Sequence, residues 1–216
     1  MPNIAIAGTP EGSANFIAAL NALNASGTAV LNETDLSDYD GLILPGGADI
    51  DPALFGEENC GSRKIERERD VRQLEILDAF VKSKKPVLGV CKGHQLLNVY
   101  FGGKILQHIP EYAAHQWIGY DQSHGSYCKP ACFLADLYGT QVFPINSAHH
   151  QAVITPAPGF QPIQWAYDGI LEAMVHESLP IVGLQWHPER MCLTHQREDT
   201  VDGLPLFSWF LRLVQS

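Results

Sequence analysis

Three short stretches carry residue types and spacings that could do chemistry. In Leu88-Gly-Val-Cys-Lys-Gly-His-Gln-Leu-Leu97, Cys91 stands between glycines, which let a backbone bend tightly and leave a side chain exposed. At the start of a helix such a cysteine feels the positive end of the dipole, which favours thiolate. The residue equally fits a buried, inert thiol, because free cysteine is among the most buried residue types. A base would separate the two readings. In Val182-Gly-Leu-Gln-Trp-His-Pro-Glu189 an apolar run ends in a histidine and a glutamate two residues apart. Side chains at i and i+2 of an extended chain point the same way, and Pro188 is expected to hold the backbone extended, so that Glu189 meets His187. A carboxylate on one imidazole nitrogen fixes the tautomer and raises the basicity of the other, as a thiol nucleophile requires. The third stretch, Leu42-Ile-Leu-Pro-Gly-Gly47, ends an apolar run in a glycine turn.

The elements that must position these residues alternate between two periods. Ile4–Ala7, Thr28–Leu31, Asp40–Leu44 and Val87–Val90 are short apolar runs that read as strands. Between them, Ser13–Leu23 and Asp70–Lys82 read as helices, the second with Val71, Leu74, Leu77 and Val81 on one face. A helix is expected over Gly93–Tyr100, late strands over Gly169–His176 and Pro180–Trp186, and a terminal helix over Leu204–Val214. Nearly continuous apolar strands separated by helices predict an α/β fold, a mostly parallel sheet covered by helices on both faces. In such sheets ligands collect outside the carboxyl ends of the strands, where both LILPGG and LGVCKG present their turns.

Composition bounds the rest. A chain of 216 residues, 45% hydrophobic and 18% charged, fits one domain spanning 1–216. The net charge of −10, with no basic run, argues against nucleic-acid and membrane-surface partners. The opening MPNIAIAGTPEG lacks the features of a signal peptide, and a cytoplasmic location is expected. Five cysteines, Cys60, Cys91, Cys128, Cys132 and Cys192, are an odd count that argues against a disulfide framework. His124, Cys128 and Cys132 in HGSYCKPAC could offer soft metal ligands, but their spacing is not that of a common zinc finger, and loop thiols are the reading adopted.

Taken with PGGADIDPALFGEE (45–58), RDVRQLEIL (69–77), PVLGVCKGHQLLNVYFGGKILQHI (86–109) and INSAHHQAV (145–153), these motifs resemble the class I glutamine amidotransferase superfamily, a flavodoxin-like fold. Within it they resemble the free-standing γ-glutamyl hydrolases of peptidase family C26. The resemblance implies a Cys-His-Glu triad of Cys91, His187 and Glu189 that cleaves the γ-glutamyl amide of a small compound such as γ-glutamyl-γ-aminobutyrate through a thioester. It implies an oxyanion hole of backbone N–H groups from Gly46 or Gly47 and from Lys92, and a glutamyl pocket lined by Gln95, Asn146, Ser147, His149 and His150. Lys92 stands where this branch often has arginine, and its role is expected to reside in its backbone N–H. Thiol-based amide hydrolysis needs neither metal nor organic cofactor, so none is expected. A homodimer is what the family suggests. The alternative is a glutaminase subunit that passes ammonia to a separate synthase. Residues 111–142 match no shared pattern, and substrate selectivity is expected to be set there.

Overall fold

The computed structural model describes residues 1–110 and 112–216; Glu111, the first residue of the unmatched region, lies outside them. The elements run β1 (Asn3–Ile6), α1 (Pro10–Ala22), β2 (Ser26–Ala29), β3 (Gly41–Leu44), α2 (Arg67–Lys82), β4 (Val87–Val90) and α3 (Lys92–Tyr100). There follow β5 (Gln122–Cys128), α4 (Phe133–Tyr138), β6 (Val142–Ser147), β7 (Phe160–Ala166), β8 (Leu171–His176), β9 (Ile181–Leu184) and α5 (Leu204–Gln215). Their ends carry local signals. Thr9 caps α1 through a hydrogen bond accepted from the Gly12 N–H, and Pro10 opens the helix, where a missing N–H costs nothing.

The strands form one nine-stranded sheet in the order β2-β1-β3-β4-β9-β8-β7-β5-β6. Its two halves differ. From β2 to β9 every pairing is parallel, and from β9 to β6 every pairing is antiparallel. The expectation of a mostly parallel sheet is thus corrected: the sheet is mixed, because β5, β6 and β7 were not legible as strands. Their apolar pattern is interrupted by Pro144 and Pro162 and by histidine and serine. Pro144 lies on the edge strand β6, where a missing ladder donor is tolerated, and the pairing of β7 with β8 shifts register after Pro162.

The parallel half is covered on both faces. Ile4, Ile6, Ile43, Leu88, Val90, Val182 and Leu184 pack with Phe16 and Leu20 of α1 and Phe207 and Phe210 of α5. The alternate residues Ala5, Leu42, Leu44, Val87 and Ile181 pack with Ile76, Leu77 and Phe80 of α2 and Leu97 of α3. This period of two, with both sets buried, produces the continuous apolar runs seen in the sequence. The buried face of α2 differs from the expected one: Val71 is exposed, whereas Asp70, Gln73, Ile76, Leu77 and Phe80 are buried. Two polar side chains belong to that face because each has a buried partner, Lys92 for Asp70 and the Ala7 carbonyl for Gln73. Among the described residues no helix is long and apolar enough to cross a membrane.

Candidate active site

The carboxyl ends of three neighbouring parallel strands converge on one place. β4, in the middle, runs straight into Cys91; β3 on one side leads to Gly46 and Gly47; β9 on the other leads to His187. Registers Leu44↔Gly89 and Val90↔Leu184 set the three ends level, and the Cys91 N–H donates to the Leu184 carbonyl at 2.7 Å.

Cys91 has φ +52° and ψ −104°, a conformation that non-glycine residues adopt rarely and at a cost. The bend needs space on both sides of it. A Cβ at Gly93 would lie 2.1 Å from the Leu44 carbonyl oxygen, and one at Gly89 would lie 2.7 Å from the Gly93 carbonyl, so only glycine lets the first turn of α3 seat against β3 and β4. The strained residue is the N-cap of α3 and sits at the positive end of its dipole.

His187 and Glu189 meet, but by a different backbone route from the one expected. The segment after His187 is a 3-10 turn over Pro188–Arg190 and not an extended chain. The turn brings Glu189 Oε1 to 2.7 Å from His187 Nδ1, with both side chains buried. Burial alone would disfavour an imidazolium, yet the Glu189 carboxylate, followed by the Cys91 thiol, pushes the His187 pKa up to about 10. The thiol side of the ring lies beside Gly46: a Cβ there would be 2.7 Å from His187 Cε1 and 3.6 Å from Cys91 Cβ. Among the described residues, the N–H groups of Gly46, Gly47 and Lys92 have no hydrogen-bond acceptor in the chain.

A cleft of about 50 Å³ adjoins Cys91, lined by Gly47, Ala48, Asp49, Lys92, Gln95, Ala148, His149, His150 and Gln151. Of the residues expected to line a glutamyl pocket, Gln95, His149 and His150 line this cleft, and Asn146 and Ser147 lie outside its lining. The Asn146 side chain is spent on the backbone of His187: its Oδ1 accepts from the His187 N–H at 2.8 Å, and its Nδ2 donates to the His187 carbonyl and to Asp121, each at 3.1 Å. Ser147 Oγ is held between the His115 ring and the His115 carbonyl. His149 lines the cleft but donates through Nδ1 to the Gln151 carbonyl and directs Nε2 toward Glu172. His150 pairs with Asp49 at 2.8 Å. Gln95 Nε2 donates to the Gln151 carbonyl and to Gln185.

The Lys92 side chain also departs from expectation. It is buried, and its Nζ lies 2.5 Å from Asp70 Oδ1, while Asp70 Oδ2 accepts from the Asp51 N–H at 2.9 Å. Lys92 thereby ties α3 to α2 and to the loop after β3, a role beyond its backbone N–H. The pair could not be found by periodicity, since both residues are of types that are usually solvated. Cys128 is buried, its thiol pushed up to about 12 first by burial and then by Cys132, and it stands apart from the cleft.

An elbow cysteine beside a buried histidine–carboxylate pair, at the head of a doubly covered sheet, defines the glutamine amidotransferase class of fold. A glutamine amidotransferase from Thermotoga maritima superimposes over 100% of this chain and 99% of its own with a TM-score of 0.71 at 18% identity. Residues 18–189 match the family model of peptidase C26, and the chain belongs to that family. Among its relatives, the γ-glutamyl-γ-aminobutyrate hydrolase of Escherichia coli O157:H7 is 30% identical over 174 residues, covering 74% of this chain and 67% of its own. The glutamine-hydrolysing GMP synthase subunit of Methanococcus aeolicus is 29% identical over 166 residues, covering 73% of this chain and 72% of its own. These relationships make the protein an amidotransferase-type hydrolase.

Proposed function

We propose that the protein, acting as one domain over 1–216, hydrolyses the γ-glutamyl amide bond of a small γ-glutamyl compound through a thioester on Cys91. The observation that carries this reading is the buried 2.7 Å pair of His187 and Glu189 facing a cysteine held at φ +52°. A charged His187 is the partner that a thiolate needs. Sulfur attacks the γ-carbonyl carbon, and the resulting oxyanion is received by the free N–H groups of Lys92 and of Gly46 or Gly47. The carbon–nitrogen bond then breaks, and the amine leaves with the proton held on His187. Water attacks the thioester, His187 takes its proton, and glutamate departs as the thiol is restored. Glu189 orients the ring throughout and stabilises it whenever it carries the proton. The narrow cleft suits the extended glutamyl arm, with Gln95 and the Asp49–His150 pair as its polar lining.

A second reading is favoured by the likeness to the glutamine-hydrolysing part of a GMP synthase: the same chemistry releases ammonia from glutamine for a separate synthase. One experiment separates them. The purified chain alone is assayed against γ-glutamyl-γ-aminobutyrate, other γ-glutamyl amines, γ-linked glutamate peptides and glutamine. Turnover of a γ-glutamyl amine above that of glutamine, lost in Cys91→Ala, supports the hydrolase; activity only on glutamine and only with an added synthase overturns it.

A further inference from the structure

Behind the cleft, the antiparallel half of the sheet gathers a group of side chains that the hydrolysis does not use. Glu172, on β8, is fully buried, and neither carboxylate oxygen has a hydrogen-bond partner among the described residues. Three histidine nitrogens surround its Oε1: Nε2 of His124 on β5 at 3.5 Å, Nδ1 of His115 at 3.7 Å, and Nε2 of His149, which follows β6, at 3.9 Å. The ligand atoms of His115, His124 and Glu172 all lie within 4.8 Å of one another. His124 Nε2 and His149 Nε2 are themselves buried without a partner. These separations are too long for hydrogen bonds. They approach the edge of a tetrahedron around one ion, because ligands bonded at about 2.1 Å stand about 3.4 Å apart.

The opposite ring nitrogens strengthen the case. His115 Nε2 donates to Asp168 Oδ2 at 2.7 Å, His124 Nδ1 to the Gly125 carbonyl at 3.2 Å, and His149 Nδ1 to the Gln151 carbonyl at 2.9 Å. Each of these bonds fixes the tautomer that leaves a lone pair directed at Glu172. Metal-ligating histidines almost always donate their second nitrogen to a carboxylate or a backbone carbonyl in this manner. Ser147 Oγ, 3.2 Å from His115 Nδ1, retains the His115 carbonyl as an acceptor at 3.3 Å when that nitrogen is engaged.

We propose that His115 Nδ1, His124 Nε2, His149 Nε2 and a Glu172 oxygen form a tetrahedral site for a divalent transition metal, zinc above all. Three imidazoles and one carboxylate suit zinc better than magnesium or calcium, which prefer all-oxygen shells. The site takes ligands from β5, β8, the loop carrying His115 and the segment after β6, so the ion cross-links separate elements of the antiparallel half of the sheet. It lies next to the cleft, since His149 belongs to both. The proposal departs from the expectation that no metal is held, and on it HGSYCKPAC contributes His124 without its cysteines. The proposal does not depend on the hydrolase reading.

The test uses the full chain as Cys91→Ala, which removes the nucleophile as a competing ligand. After treatment with a chelator, zinc is titrated against a chromophoric competitor, and cobalt is added in parallel. Binding of one zinc per chain, with a rise in Tm, and tetrahedral cobalt bands lacking thiolate charge transfer support the site. In that background His124→Ala weakens zinc binding by about 10²-fold and Asp168→Ala, which leaves the second nitrogen of His115 without its acceptor, by about 10-fold. Both should retain the circular dichroism of the parent. No binding at micromolar zinc, equal binding by His124→Ala, or cobalt bands of thiolate type would each overturn the proposal.

Discussion

Glu189→Gln is the perturbation that tests most of the catalytic reasoning at once. The amide matches the carboxylate in shape and can still accept from His187 Nδ1, so the buried 2.7 Å contact keeps its geometry while losing its charge. Raising an imidazole from 6.5 to about 10 amounts to roughly 5 kcal/mol, at about 1.4 kcal/mol per factor of ten in the proton equilibrium. Burial opposes that rise, and Glu189 is the largest group promoting it, ahead of Cys91. Attributing at least half to Glu189 gives roughly 2–3 kcal/mol, or a loss of about 30- to 150-fold in kcat/KM if the imidazolium is what stabilises the reacting thiolate. The assay is steady-state hydrolysis of γ-glutamyl-p-nitroanilide across pH, with the rate of Cys91 alkylation by iodoacetamide as a measure of thiolate. In the parent the imidazolium persists until pH approaches 10, so the alkaline limb of kcat/KM is high and should move to lower pH in the variant. The folding contribution follows the same sign. The folded pKa lies above the ordinary 6.5, so this stability is complete below pH 6.5 and is lost as pH rises through about 10. Unchanged kcat/KM together with an unmoved alkaline limb would refute the assignment of Glu189.

Other substitutions probe separate supports. Gly46→Ala places a methyl 2.7 Å from His187 Cε1; because that ring is buried and its backbone is clamped by Asn146, kcat should fall about 10²-fold with little change in Tm, and a variant of full activity would show the ring to be free to move. Asn146→Ala leaves the His187 N–H and carbonyl without their partners, so kcat should drop while KM holds; a rise in KM alone would instead place Asn146 on the substrate. Asp70→Asn strands the buried Lys92 ammonium and should lower unfolding free energy in urea by about 3–5 kcal/mol. A loss below about 1 kcal/mol would mean that Lys92 finds another partner.

The chemical residues were legible because they lie in short local patterns. Cys91 between two glycines and His187 followed by Glu189 each occupy a few residues, and the strands that deliver them are unbroken apolar runs. The 3-10 turn at Pro188 was not legible, since proline is compatible with both an extended chain and the first position of a turn. The edge half of the sheet was hidden for a related reason: β5 reads QSHGSYC, with no apolar alternation, because its histidine and serine face buried polar partners instead of an oily core. Asn146 binds the backbone of His187 and Ser147 the carbonyl of His115, hydrogen bonds that turn inward and that no sequence pattern reveals. The same is true of Asp70 and Lys92, whose pairing depends on how α2 and α3 cross.

The two glycines that admit the first turn of α3 have a mechanical consequence. With Gly93 pressed against the Leu44 carbonyl and Gly89 against Gly93, there is little slack through which Cys91 could shift relative to the Pro45-Gly46-Gly47 turn. If Cys91 is the nucleophile we propose, the attacking atom and the turn that would receive the oxyanion are machined into one block, and any new specificity must be carved into the rim around that block rather than into the block itself.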